Sequence, residues 1–507
     1  DDIVYKHMVN LGTCDPIEGV DLEAVDTESE LLLAWKDMIQ RLDPDILIGY
    51  NIFGFDMSYM WDRIIELGIE DEFAVGFGRL NNRRTELIEQ QRSSSALGDN
   101  ILKYIDMDGC VCIDLLKVMQ QDEKLDSYKL DDVAFKFLGD RKNDLKPNEI
   151  FAKFLGSASD RAEIARYCIQ DCALVNRLIH KKRILENNLG MGNVCSVPLS
   201  YLFLRGQGVK IFSLVSKECR KNKFLIPVVK KYDPDANAAD DKQESYEGAI
   251  VLEPKEGIYF EPIVVFDYSS LYPSSMIHRN LSHDCYVMDT SIIEDPKVKE
   301  EGITFTTVKY DLYDDKKNVV GIKECVFAQY PEGKKGIIPN ILQMLLSARK
   351  NTRKKIEYMT INTTDGTSLS GLLSENPDFD SFTLHDVSTN TKTVIAKDRV
   401  ASISETNDEF QKAVLDALQN AYKVTANSLY GQIGSVCSQI FLQEIAACTT
   451  ATGREMIQTA KKFMEDNYNA NVIYGDTDSI FCKFPININN TNNTNPTNPS
   501  NPTNPTT

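Results

Sequence analysis

The sequence predicts an α/β multidomain protein, and three observations carry that expectation. The chain has 507 residues, enough for roughly three or four domains. Short apolar strands alternate with amphipathic helices through the first third of the chain. Further on, two long helices with basic positions stand between strand-rich segments, the second of which ends in a hairpin pattern at residues 472–481.

Composition narrows the function classes. At 42% hydrophobic residues the chain can bury real cores. It has no apolar run of about 18 residues, so no membrane span is expected. The start carries no secretory pattern and opens on Asp1 and Asp2 rather than Met, which reads as a start that is missing. The net charge of −19 argues against a general nucleic-acid binder. Local charge runs the other way. From Arg205 to Lys231 eight basic residues face one acid, Glu218. From Gly321 to Thr360 eight basic residues face three acidic ones. Such stripes suit phosphate contacts as well as solvated helix faces. Twelve cysteines without a C-x-x-C pattern read as reduced thiols, and five scattered His without H-E-x-x-H exclude the usual zinc-enzyme pattern.

In the first segment, residues 45–50 read as a short buried strand, and a helix follows from Met57 to Leu67 with Met60, Ile64, Ile65 and Leu67 as its apolar positions. Asp56 stands between them, placed either to cap the helix or to hold a metal. A second helix is expected from Glu163 to Lys182. Tyr167 and Asp171 lie four apart on it and share a face, where a phenol beside a carboxylate can orient a water. Asp106, Asp108 and Asp114 sit in a strand-and-turn stretch and read as structural.

Downstream, a turn at Tyr246 to Ala249 precedes a strand, Ile250 to Glu253. The buried strand from Ile263 ends at Asp267 and feeds Tyr268, Ser269, Ser270, Leu271 and Tyr272 at a helix start, where free backbone N–H groups suit phosphate oxygens. A long helix from Gly336 to Ile356 places Arg349 and Arg353 on one face. Another from Leu418 to Gly431 does the same for Lys423 and Asn427, with Tyr430 one turn on. Between them, residues 357–403 are polar with strand-like pieces and read as an insertion. The hairpin at 472–481 is expected to turn at Gly475 and Asp476, lifting Asp476 and Asp478 into one small space. Two unpaired carboxylates that close repel each other, and a hard divalent cation removes the penalty. Residues 485–507 are almost wholly Asn, Thr and Pro and are expected to be disordered.

Taken together, four segments resemble the B-family DNA polymerases. Residues 267–274 are similar to the first polymerase motif, 423–431 to the second, 474–479 to the third, and 347–353 to the fingers helix. The resemblance extends upstream, where 51–56 and 167–171 look like the second and third motifs of the family's 3′→5′ exonuclease, and 246–249 like the turn linking exonuclease and palm. It covers residues 1 to about 484 and is nearest to the delta-type enzymes and their relatives in large DNA viruses.

The resemblance implies an RNase H-like exonuclease domain at 1–185, lacking its first motif, and a connector with a basic helix at 186–246. It implies a ferredoxin-like palm at 247–335 and 433–484, helical fingers at 336–432 with the insertion 357–403, and no thumb. It implies template-directed addition of deoxynucleotides to a primer 3′-OH, with Asp267, Asp476 and Asp478 holding two Mg²⁺ ions for which Mn²⁺ can substitute. Ser270, Leu271, Tyr272, Arg349, Arg353, Lys423, Asn427 and Tyr430 would bind the incoming nucleotide, with Tyr272 rejecting a 2′-OH. Asp56, Tyr167 and Asp171 would serve the exonuclease. Implied partners are primer-template DNA, deoxynucleoside triphosphates and a sliding clamp reached through segments outside this chain, with no membrane. The place of action would be the nucleus or a cytoplasmic viral replication site. Arg353 departs from the Lys frequent there in the family; charge is kept while the geometry changes. Two other readings stay open: an inactive remnant that only binds primed DNA, and an exonuclease-dominated repair enzyme.

Overall fold

The computed structural model describes residues 5–80, 83–94, 98–141, 145–226, 245–314, 316–376 and 379–485. The expected disordered tail, apart from its first residue, and residues 227–244 of the expected connector lie outside that set. The chain divides into two compact units, residues 1–223 with 345–428, and residues 224–344 with 429–507. The division falls inside two helices, Ile337–Ile356 and Glu409–Ile433.

The first unit begins with α/β structure. Strand Ile46–Gly49 pairs in parallel with Val111–Asp114, putting Gly49 opposite Asp114. A hairpin of Leu87–Ser94 and Gly98–Ile105 lies between them in sequence. Helix Asp56–Glu66 follows the first strand and buries Met57, Trp61 and Ile64. The expected Ile65 is 52% exposed; the i, i+4, i+7 stripe that includes Trp61 is the one that meets the core. The second expected helix runs from Ala158 to Lys181 and starts five residues early, because Ser157 and Asp160 form a capping box.

Residues 357–403, read as an insertion, fold into an antiparallel sheet. Its strand order is Thr391–Ala396, Ser381–Asp386, Ser368–Asn376, Met359–Thr363, Val400–Glu405. First and last strands in sequence pair, so the segment leaves and rejoins the helices at one place. Ile361, Leu384 and Ile395 form its small core.

The second unit holds two four-stranded sheets. One is built on the long hairpin Thr304–Tyr313 and Val319–Gln329. The other has the antiparallel order Val251–Leu252, Asn471–Asp476, Ser479–Lys483, Ile263–Asp267. Helix Gln443–Tyr468 supplies Ile457 to a core of Val472, Ile480 and Cys482 beneath this second sheet. None of the twelve cysteines is in a disulfide. Among the described residues no helix is long and apolar enough to cross a membrane.

Candidate functional site

Strand register brings the three carboxylates of the second unit to one end of its sheet. Ser479 pairs with Asp476 on one side and Asp267 on the other. The turn residues are Thr477 and Asp478, not Gly475 and Asp476 as expected; the latter two are the last residues of the strand. Thr477 takes the left-handed conformation, φ 50°. Its amide donates to the Ile250 carbonyl at 3.1 Å, and the Asp478 amide donates to the Asp476 carbonyl at 2.6 Å. A Cβ on Gly475 would lie 2.8 Å from Leu252 Cδ1 and 3.1 Å from the Ser479 carbonyl, so glycine is what lets the strands approach.

Asp267 and Asp476 are exposed, and Asp478 is half-buried. Burial raises the pKa of Asp478, and the charges of Asp267 and then Asp476 raise it further. The Asp476 carboxylate also accepts the Thr477 hydroxyl at 2.8 Å. Among the described residues no three His, Cys, Asp or Glu side chains stand at metal-ligating spacing. Two mutually repelling carboxylates with only oxygen donors match the way Mg²⁺ is usually held, by one or two carboxylates with waters and substrate phosphates.

Beside this edge, Ser270 is left-handed at φ 56° and opens helix Leu271–Arg279 without a side-chain cap. The first N–H groups of that helix are therefore left for an anion. Leu271 is buried and anchors the turn. The Tyr272 ring meets the Tyr430 ring with centroids 4.6 Å apart. Burial raises the pKa of both phenols.

Two residues in this neighbourhood escaped the sequence reading. A Cβ on Gly453 would stand 2.9 Å from Tyr272 Cε1. Arg454 donates to the carbonyls of Glu247 and Gly248 at 2.5 and 2.7 Å, and its Nε lies 3.3 Å from the Glu247 carboxylate. The turn at 246–249 is thus held against helix Gln443–Tyr468, with Thr450 donating to Glu247 as well. The available signal was a glycine in mid-helix, which costs about 1 kcal/mol against alanine and wants a packing reason.

In the first unit, the Arg349 guanidinium donates to the Gln419 side chain at 3.2 Å, so the two basic helices face each other there. Gln419, Lys423 and Asn427 follow at spacings of four along one helix. Arg353, Lys423 and Asn427 are exposed.

The expected exonuclease residues lie in this same unit. Asp56 sits in the first turn of its helix, whose N-cap Phe55 makes no side-chain cap. Solvent reaches the residue, yet packing around its carboxyl raises its pKa. Tyr167 and Asp171 stand one turn apart on helix Ala158–Lys181. Burial raises the pKa of the Cys172 thiol, and the charges of Asp171 and then Asp56 add to it. Asp114 is structural, as expected: at 2% exposure it accepts the amides of Asn51 at 2.7 Å, Phe53 at 3.0 Å and Leu116 at 3.0 Å. Asp106 and Asp108 pair with Arg83.

Residues 197–367 and 395–495 match the family model for DNA polymerase family B, and residues 3–133 match that for the DNA polymerase family B exonuclease domain. Asp56 lies within the second match, and Tyr167 and Asp171 fall between the two. The first match skips 368–394, the middle of the inserted sheet. Among curated relatives, a DNA polymerase of Pyramimonas orientalis virus is 45% identical over 95% of this chain and 44% of its own length. The DNA polymerase delta catalytic subunits of Glycine max and Arabidopsis thaliana are each 34% identical, over 96% and 95% of this chain and 39% and 38% of their own lengths. The chain spans less than half the length of these relatives.

Proposed function

The chain belongs to DNA polymerase family B, and on that premise we propose that it adds deoxynucleotides to a primer 3′-OH under direction of a template. The observation that carries this reading is the convergence of Asp267, at a strand end, and Asp478, in the neighbouring turn, where burial and then the charge of Asp267 raise the Asp478 pKa. The family's domains imply dependence on divalent metal, and the all-oxygen donors of this edge favour Mg²⁺ with Mn²⁺ as a substitute. Two such ions, when bound, stabilise the attacking 3′-oxygen and the departing pyrophosphate. Asp267 and Asp478 are the proposed ligands, with Asp476 assisting.

The remaining residues bind and orient. Arg349, Arg353, Lys423 and Asn427 are proposed to neutralise the triphosphate, and the N–H groups following Ser270 and Leu271 to take its oxygens. Tyr272, wedged between Tyr430 and Gly453, excludes a 2′-hydroxyl by contact. Tyr430 packs at the nascent base pair. Asp56, Tyr167 and Asp171 are proposed to serve an associated 3′→5′ proofreading exonuclease. The proposed architecture is an RNase H-like domain followed by a palm and helical fingers. Primer-template DNA and deoxynucleoside triphosphates are the proposed substrates, and a sliding clamp a proposed partner through segments outside this chain.

A second reading is a chain that binds primed DNA without turnover. Single-nucleotide primer extension with Mg²⁺ separates the two. Incorporation of the templated nucleotide by the 507-residue chain and its loss in Asp478→Ala are expected. Binding of primer-template without incorporation by either protein would give the second reading precedence.

A further inference from the structure

Helix Ile337–Ile356 carries Arg349 and Arg353, and its start is held from outside the helix. The Gly336 carbonyl accepts the first helical bond, from the Asn340 amide at 3.0 Å, and glycine has no side chain with which to cap. The opening turn of any helix leaves N–H groups without partners inside it. Here side chains 53 to 56 residues upstream take them. The side-chain oxygen of Asn280 accepts the Gly336 amide at 2.9 Å. Both oxygens of the Asp284 carboxylate accept the Ile337 amide at 3.2 Å, and the Ser282 hydroxyl accepts the Ile338 amide at 3.2 Å. Pro339 has no N–H to place. The seat is also tight: a Cβ on Gly336 would run into Cys285 Sγ and lie 2.9 Å from Ser282 Cβ.

Asn280 does more than cap. It is fully buried and ends helix Leu271–Arg279 in the left-handed conformation, φ 57° and ψ 43°, which asparagine accepts more readily than most residues. Its Nδ2 donates to the Ala328 carbonyl at 2.7 Å, in strand Val319–Gln329. One side chain thus joins three elements of the second unit: the helix that carries Tyr272, a strand of the long hairpin, and the root of the helix that carries the two arginines. A buried amide bonded at both ends holds its neighbours in one arrangement, because either end left unpaired costs free energy. Ser282, equally buried, donates its hydroxyl to Asp284 Oδ1 and so steadies the carboxylate that takes the Ile337 amide.

We propose that Asn280, with Ser282, is a positioning residue for nucleotide incorporation. It holds the root of helix Ile337–Ile356 in the pose from which Arg349 and Arg353 reach the triphosphate, and it rests on the role proposed above for those arginines. A loosened root leaves only a fraction of molecules with the helix in the binding pose, and the apparent affinity for nucleotide falls by that fraction. Saturating nucleotide draws the helix back, so KM rises while kcat stays. A residue that serves overall stability alone does the opposite: fewer molecules are active, kcat per mole of protein falls, and KM is unchanged.

The test is steady-state single-nucleotide primer extension with Mg²⁺ by the full 507-residue chain, comparing wild type with Asn280→Gly and Ser282→Ala. Glycine keeps the left-handed backbone and removes only the side chain. Alanine removes one hydroxyl. The KM for the templated deoxynucleotide is expected to rise about fivefold in Asn280→Gly and about twofold in Ser282→Ala, the scale of one or two lost hydrogen bonds. The kcat and the dissociation constant for primer-template without nucleotide should stay at wild-type values. Circular dichroism shows whether each variant folds; if Asn280→Gly does not, Ser282→Ala decides alone. An unchanged KM in the folded variants, with or without a lower kcat, overturns the positioning role and leaves the polymerase reading standing. Absence of incorporation by the wild type overturns that reading and this role together.

Discussion

The backbone amide of Tyr268 donates to the carbonyl of Asp478 at 2.8 Å. This single bond ties the residue after Asp267 to the tip of the hairpin 210 positions downstream, and it holds the backbones that carry the two carboxylates side by side. Two acidic residues are thus held near each other by backbone, and the charge of Asp267 adds to burial in raising the pKa of Asp478.

That arrangement predicts a trade between stability and metal response. Asp478 has a raised pKa through burial and its acidic neighbours, so stability is lost as the pH rises from the ordinary carboxylate value through the folded pKa, and the loss is complete at neutral pH. Asp478→Asn should raise the melting temperature in EDTA at pH 7, and the gap to wild type should narrow as the pH falls and Asp478 protonates. The variant should also lose most of the wild-type rise in melting temperature on adding Mg²⁺. A variant melting below wild type in EDTA would contradict the repulsion argument.

Gly453 gives a test of the Tyr272 wall without touching Tyr272. Alanine there gains about 1 kcal/mol of helix propensity but places a methyl 2.9 Å from the ring, so the ring must move. Gly453→Ala should lower the preference for deoxy- over ribonucleotides severalfold in primer extension, and Tyr272→Ala should lower it more. Unchanged sugar discrimination in both variants would remove Tyr272 from its proposed role.

How much of this was legible depended on local pattern. Asp267 and Asp476 end strands of Val, Ile and aromatic residues, so their strands could be read directly, while the turn type, which depends on Thr477 going left-handed, could not. Helix Gln443–Tyr468 left no amphipathic signal where it matters: Ile445, Ala446, Ala447, Cys448, Thr449 and Thr450 are all buried, so polar and apolar positions alike face protein. Arg454 and Gly453 were missed with it. The inserted sheet showed only short alternating pieces, because its closure pairs Met359–Thr363 with Val400–Glu405 across some 40 residues.

Asp114 is the support on which Asp56 depends. Three backbone amides converge on one buried carboxylate, and two of them belong to the loop leading to Asp56. Asp114→Ala strands those donors, at about 1–3 kcal/mol for each one left without a partner. Both tryptophans, Trp35 and Trp61, pack in the adjoining core, so urea unfolding followed by their fluorescence reports on this region. A loss of about 3 kcal/mol is expected for alanine and less for Asp114→Asn, which keeps one acceptor oxygen. An alanine variant as stable as wild type would show that water replaces the carboxylate.

His283 sets an acid limit on the second unit. Burial lowers its pKa, against the opposing effects of the Ile440 carbonyl, 3.0 Å from Nε2, and of Asp284. A histidine held neutral in the fold binds fewer protons than the unfolded chain once the pH drops below about 6.5, the ordinary value. Stability must therefore fall with pH from there down to the folded pKa, below which this residue adds no further loss. His283→Gln keeps an N–H for Ile440 and does not titrate. Between pH 7 and pH 5 the variant should lose less melting temperature than the wild type, measured by circular dichroism in EDTA. Equal losses would mean that the imidazole protonates in place, with the loop around Ile440 opening to solvate it.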